Sequence, residues 1–113
     1  MSVSYGTGDR GRATRLHAEL VRRRGRCERC GKTTNLQCAH IVSRRYANTR
    51  TDLDNAFCLC AGCHRYFTEW PVEFHQFVES TIGIEKYAEL RTRALSRDKV
   101  DWSERIRELK ALT

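Results

Sequence analysis

Two cysteine pairs, Cys27-x-x-Cys30 and Cys60-x-x-Cys63, bracket a stretch that opens on Ala39-His40-Ile41 and closes on Asn55, and His64 follows the last cysteine directly. Zinc takes four ligands tetrahedrally, and each Cys-x-x-Cys knuckle presents two thiolates on one turn. Cys27, Cys30, Cys60 and Cys63 together can therefore close one structural site, with Gly31 allowing the sharp turn of the first knuckle. His40, Asn55 and His64, spaced through the same segment, can assemble a hydrolytic centre. Hydrolysis of a phosphodiester needs a deprotonated water, an electrophile on the phosphate and stabilisation of the leaving oxygen. An imidazole near its ordinary pKa of about 6.5 can take the proton from water at neutral pH. A divalent cation can polarise the phosphoryl oxygen and hold the departing alkoxide.

Composition narrows the setting for this chemistry. The chain has 113 residues, 40% apolar and 31% charged, which suits one small soluble domain. Domains of this size bury only about 60–70% of the surface their unfolded chains expose, so a metal staple is useful. No apolar run approaches the ~20 residues that span a bilayer, and the N-terminus shows no secretory h-region. A cytoplasmic setting is expected, in which six cysteines read as metal ligands and core residues rather than as a disulfide framework. Neither pair is surrounded by the βαβ pattern of a thioredoxin-like redox motif. Cys38 and Cys58, each alone in an expected strand, read as small buried hydrophobes outside the metal site.

The net charge of +7 is concentrated in the N-terminal third, where residues 1–32 hold nine Lys/Arg against three Asp/Glu. Residues 71–113 hold eight of each. A basic end on a small domain points to a polyanion, most simply nucleic acid.

The elements that must position these residues follow from periodicity. Residues 1–9 read as a flexible arm. From Arg10 a basic helix carries Ala13, Leu16, Leu20 and Val21 on one stripe and stops near Gly25. Leu36–Val42 and Ala56–Cys60 read as strands joined by a polar loop, Ser43 to Asp54. A helix begins near Ala61 and carries His64. Pro71 opens a further helix with Trp70, Phe74, Phe77 and Val78 along one side, and Gly83 ends it. Ile84 to Leu95 follows with Tyr87, Ala88, Ala94 and Leu95 inward. Asp101-x-x-Glu104 then caps a last helix with Trp102, Ile106 and Leu109 on its apolar face.

Cys-x-x-Cys, Ala39-His40-Ile41, Asn55 and Cys-x-x-Cys-His-Arg, in this order, resemble the HNH endonuclease family, and in particular its small tetracysteine members from phages and prophages. The spacing, 15 positions from His40 to Asn55 and 9 from Asn55 to His64, is similar to the family's. The resemblance implies an α+β fold: a ββα-metal finger, in which a two-stranded antiparallel hairpin and a helix are stapled by the cysteine zinc site and flanked by N-terminal and C-terminal helices. On this reading residues 1–113 form a single nuclease domain, with the zinc and catalytic core at 26–69. The resemblance further implies His40 as general base, His64 as ligand of a catalytic Mg²⁺, Mn²⁺ or Ni²⁺ ion, and Asn55 as the residue that holds the loop and orients His40 through a hydrogen bond. The residue before the base is commonly an acidic or His ligand in the family, and here it is Ala39. Glu69, Glu73, Asp52, Asp54 and His75 are the candidates to replace it.

DNA is the expected partner and no membrane is. Arg44, Arg45 and Arg50 in the loop, Arg65 beside His64, and Arg22, Arg23 and Arg24 at the end of the basic helix are candidate phosphate contacts, which position a duplex without reading its sequence. The expected function is metal-dependent nicking of DNA with low sequence specificity, in phage packaging or recombination if the resemblance extends that far. The alternative is a non-catalytic zinc ribbon that binds DNA.

Overall fold

The structure, a computed structural model, describes residues 5–113, so the first four residues of the expected arm lie outside the described residues. Among the described residues, six helices and one two-stranded antiparallel sheet follow in the order α1 (Gly8–Arg22), β1 (Leu36–His40), α2 (Ala47–Arg50), a 3-10 turn (Leu53–Asn55), β2 (Ala56–Cys60), α3 (Ala61–Glu69), α4 (Pro71–Ile82), α5 (Ile84–Ala94) and α6 (Trp102–Ala111). Helix α1 thus begins inside the segment expected to be a flexible arm. Gly11 lets the chain at Tyr5 and Gly6 pass directly against it, where a Cβ would collide with the Gly6 carbonyl.

The strands pair Leu36 with Cys60, Cys38 with Cys58 and His40 with Ala56. Side chains alternate across a pleated sheet, so Leu36, Cys38 and His40 share a face with Cys60, Cys58 and Ala56, and Gln37 and Ala39 share the other with Leu59 and Phe57. Val21 of α1 packs on the first face with Ala56 and Cys58. Phe67, Val78 and Leu90 from α3, α4 and α5 cover Ala39, Phe57 and Leu59 on the second, joined by Phe74 and Phe77. Every residue of β2 is buried, as a strand covered on both sides requires.

Helix α1 has two working stripes. Ala13 with Leu16 and Leu20 receives Ile106, Leu109 and Trp102 of α6, whereas Val21, expected on the same stripe, turns to the hairpin and packs on Ala56 and Cys58. Thr14, His17, Ala18 and Val21 form the adjacent buried face. Apolar periodicity does not reveal this face because two of its four members are polar.

Four local expectations need correction. β1 ends at His40 rather than Val42, because Asn55 takes over the ladder: its carbonyl accepts from Ile41 N–H at 3.0 Å and its Oδ1 from Val42 N–H at 2.8 Å. The loop after β1 contains α2 and the 3-10 turn, in which the Asp52 carboxylate accepts from the Asp54 N–H. Leu95 is 70% exposed, since α5 ends one residue earlier and turns Tyr87, Leu90 and Ala94 inward, with Ala88 exposed. Trp70, 55% exposed, sits at the break between α3 and α4 instead of on the packed side of α4. That side is formed by Phe74, Phe77 and Val78, and Gly83 ends the helix with φ of 90°. At α6 the cap is as read, with Asp101 Oδ1 accepting from Glu104 N–H at 3.0 Å.

Candidate active site and metal centre

Cys27 and Cys30 stand in the turn after α1, Cys60 at the end of β2 and Cys63 in the first turn of α3. Their sulfurs all lie within 4.8 Å of one another. A zinc ion with Zn–S bonds of about 2.3 Å in a tetrahedron sets its sulfurs about 3.8 Å apart, and Cys30 and Cys60 are 3.7 Å apart. The donor set therefore fits a structural zinc. Burial pushes the Cys27 thiol up, but donors from the backbone of Cys60, Cys30 and Arg29 outweigh it and bring it to about 6. Burial pushes Cys63 up to about 12, opposed by the Arg29 guanidinium 3.6 Å from its sulfur. Arg29 is itself held over the rings of Tyr66 and Phe67. The first knuckle is tied to the hairpin by the Glu28 N–H, which donates to the Cys58 carbonyl, and by the Glu28 carboxylate, which accepts from the Cys58 N–H.

His40 closes β1. Its Nε2 lies 2.8 Å from the carbonyl oxygen of Arg50. A carbonyl only accepts, so Nε2 carries the proton and Nδ1 keeps its lone pair. Burial lowers the His40 pKa, and the charges of Arg44, Arg50 and His64 lower it further against the opposing Arg50 carbonyl. The imidazole is therefore neutral at neutral pH.

The expected hydrogen bond from Asn55 to His40 is not formed. Asn55 is fully buried and spends its amide on the loop: Oδ1 accepts from Val42 N–H, and Nδ2 donates to the carbonyls of Val42 and Thr49, each at 3.0 Å. It thus closes the loop that presents the Arg50 carbonyl, and that carbonyl holds the ring.

His64 projects from α3 toward β1. Its Nδ1 lies 2.7 Å from Gln37 Oε1, so Nδ1 carries the proton and Nε2 is free to ligate. Burial lowers its pKa as well. Metal-binding histidines commonly donate their other ring N–H to an oxygen acceptor, which fixes tautomer and ring orientation, and the Gln37 carboxamide oxygen is placed to accept it here. His40 and His64 meet in an open groove of about 540 Å³, shared with Gln37, Cys38, Arg22, Arg44 and Tyr5.

Of the candidates to replace the ligand missing at Ala39, only Glu69 lines a depression with His64, and it is paired with Arg65 at 3.7 Å. Asp52 is bonded to Arg93 and caps the 3-10 turn. Glu73 accepts from the Tyr66 hydroxyl. His75 pairs with Glu79 at 2.6 Å and faces Tyr87. Asp54 is exposed, with its N–H bonded back to Asp52.

The arginines divide sharply. Arg44 and Arg22 line the groove beside the two histidines. Arg23, Arg45 and Arg65 are exposed, the second stacked on Tyr46. Arg50 does not reach the surface: at 7% exposure it donates from Nε to Thr14 Oγ1 at 2.6 Å, from Nη1 to the Arg44 carbonyl at 3.1 Å and from Nη2 to the Tyr5 carbonyl at 3.0 Å. Arg24 is exposed, and it donates to the carbonyls of Ala56 and Leu53 and pairs with Glu28. Loop position marked Arg50 as a phosphate contact, yet its guanidinium group satisfies buried carbonyls that would otherwise be orphaned, whereas Arg24 remains exposed.

Three further residues were not legible as part of this site. His17, buried on α1, bonds the Asp52 carbonyl at 2.9 Å and stacks on His40 with ring centroids 5.2 Å apart. Its place beside Thr14, Ala18 and Val21 on one helical face was the available signal. Gln37 had none beyond strand alternation. Arg105 of α6 reaches back to Thr51 Oγ1 at 2.9 Å and buttresses the loop.

A comparison with protein-family models matches residues 27–68 to the family described as HNH endonuclease. No curated protein and no solved structure matches the chain. The matched stretch opens on the first ligand of the cysteine centre, contains both histidines of the groove and ends in α3. Residues 27–68 thus match an HNH endonuclease domain, with four cysteines positioned as its zinc-binding type requires.

Proposed function

We propose that the protein is a metal-dependent endonuclease that nicks DNA with low sequence specificity, using His40 as general base. The observation that carries this reading is the anchored imidazole: Nε2–H is held by the Arg50 carbonyl, Nδ1 is free, and His64 and Arg44 share its groove. Nδ1 of His40 takes a proton from water as the water oxygen attacks phosphorus. The bond from phosphorus to the 3′ oxygen breaks, and that oxygen leaves with a proton from solvent, giving 5′-phosphate and 3′-hydroxyl ends. Asn55 keeps the loop closed and so keeps the Arg50 carbonyl behind His40. Arg44 and Arg22 hold the flanking phosphates, with Arg23, Arg45 and Arg65 farther along the backbone. A divalent cation at His64 Nε2, Mg²⁺, Mn²⁺ or Ni²⁺, would supply Lewis acidity to the phosphoryl and leaving oxygens.

Zinc at the four cysteines is structural on this reading and takes no part in cleavage. The site requires reduced thiols, which suits the cytoplasm of a host cell. No helix among the described residues is long and apolar enough to cross a membrane. A role in phage DNA packaging or recombination rests on the resemblance to small phage and prophage members alone.

The test is incubation of supercoiled plasmid with each of the three ions, beside His40→Ala. Nicking by the parent protein and its loss in His40→Ala is the expected result; undiminished nicking by His40→Ala removes the mechanism. The second reading, a DNA-binding module that has lost catalysis, is favoured by Ala39 and by the pairing of Glu69 with Arg65. Plasmid binding without nicking under any ion would select it.

A further inference from the structure

The hairpin carries a second group of ligating side chains that the four-cysteine centre does not use. His17 of α1 and Cys38 and His40 of β1 each bring a donor atom to within 4.8 Å of the others. They meet because Cys38 and His40 are two residues apart on one face of the strand, and the polar stripe of α1 lies against that face. In both imidazoles Nε2 is committed to a carbonyl, Asp52 for His17 and Arg50 for His40. Both Nδ1 atoms therefore keep their lone pairs. His17 Nδ1 stands 3.9 Å from Cys38 Sγ. A tetrahedral ion with bonds of about 2.3 Å to sulfur and about 2.1 Å to nitrogen holds such donors about 3.6 Å apart. A small inward shift brings this pair to that spacing, and the His40 donor lies within 4.8 Å of both.

We propose that His17, Cys38 and His40 form a second metal site that takes Zn²⁺, and that filling it stops His40 from acting as a base. One thiolate and two imidazoles are a donor set for zinc and similar ions, whereas Mg²⁺ selects oxygen ligands. Each imidazole already has the backbone carbonyl behind it that metal-binding histidines commonly use. Cys38 and His40 line the open groove, which gives an ion a path in and water access to the fourth position. Binding releases the Cys38 proton to solvent as the Zn–S bond forms. Arg22, Arg24 and Arg44 lie near Cys38 and repel a cation, so this site binds more weakly than the four cysteines and responds to free zinc. The occupied Nδ1 of His40 has no lone pair for the proton of water. That second half rests on His40 as the base; the binding half does not.

The experiment is a Zn²⁺ titration against a chromophoric chelator in reducing buffer, starting from protein that retains its tightly held zinc. One further equivalent is expected in the parent protein and in His64→Ala, and none in Cys38→Ala. No further equivalent in the parent, or one retained in Cys38→Ala, overturns the site. An equivalent lost in His64→Ala and kept in Cys38→Ala also overturns it, because the ion would then sit with His64. His17→Gln, which can still donate to the Asp52 carbonyl, should lose the equivalent too; if it does not fold, Cys38→Ala decides alone.

Plasmid nicking with Mg²⁺ is then compared with and without saturating Zn²⁺, each protein normalised to its own zinc-free rate. Loss of a general base costs roughly 10²–10⁴-fold, so zinc should slow the parent by on the order of 100-fold or more and Cys38→Ala far less. Equal slowing in both overturns the inhibitory role. If no preparation nicks, the nuclease reading falls and the titration alone decides the site.

Discussion

Arg50→Met separates a structural arginine from one that grips phosphate. The substitution keeps most of the apolar stem and removes three donors. Thr14 Oγ1 still donates to the Arg10 carbonyl, but the carbonyls of Arg44 and Tyr5 lose their partner. Hydrogen bonds from a charged donor contribute about 1.5–3 kcal/mol each, and a buried acceptor left unpaired costs about 1–3 kcal/mol. Against this, the variant no longer buries a charge whose contacts are all to uncharged oxygens. A net loss of about 3 kcal/mol follows, and at roughly 4–8 °C per kcal/mol for a domain of this size the melting temperature falls by about 12–24 °C. The loop that carries the Arg50 carbonyl loosens, so nicking should fall further than DNA binding does. The deciding assay is the salt dependence of DNA affinity, because each phosphate that the protein ceases to neutralise lowers the log–log slope by about 0.9. Arg50→Met should leave the slope unchanged, while Arg44→Ala lowers it by about 0.9 and stays within about 0.5 kcal/mol of the parent in stability. An Arg50→Met protein as stable as the parent, with its slope lowered as in Arg44→Ala, would refute the assignment.

Other predictions concern the two metal centres and the base. The His40 pKa is lowered by burial, and the active form is unprotonated, so kcat/KM should hold into mild acid. Its acid limb should bend below the ordinary value of about 6.5 and then fall about tenfold per pH unit; a bend above neutrality contradicts the burial argument. Gln37→Ala frees the His64 ring, and the Mn²⁺ concentration for half-maximal nicking should rise about 10–100-fold. An unchanged Mn²⁺ titration would show that Gln37 does not hold the ligand. Metal analysis after dialysis should find about one zinc per chain, absent in Cys60→Ser together with the cooperative melt; zinc retained by Cys60→Ser would sink the four-cysteine assignment. Asn55→Ala leaves the backbone of Val42 and the Thr49 carbonyl unpaired and should lower stability by about 2–4 kcal/mol, read as a shift in the urea midpoint.

What the sequence determined by itself was local. Two cysteines three positions apart already share a turn, and strand alternation and helical period are properties of neighbours in the chain. The knuckles, β2, the opening of α3, the break at Gly83 and the Asp101 cap were therefore legible, as was the order in which His40, Asn55 and His64 come. Tertiary structure decided which polar groups are spent indoors. Arg50 looked like a DNA contact because charge and loop position are all a sequence shows of it; only the folded loop reveals the carbonyls it satisfies. The family resemblance puts Asn55 on His40, and the structure routes its hold through Val42 and Thr49. His17 is hidden in the sequence because its stripe mixes polar and apolar residues, and its meeting with Cys38 and His40 joins segments more than twenty positions apart. Such a juxtaposition depends on how α1 lies across the hairpin, which the packing of both faces fixes and no local pattern encodes.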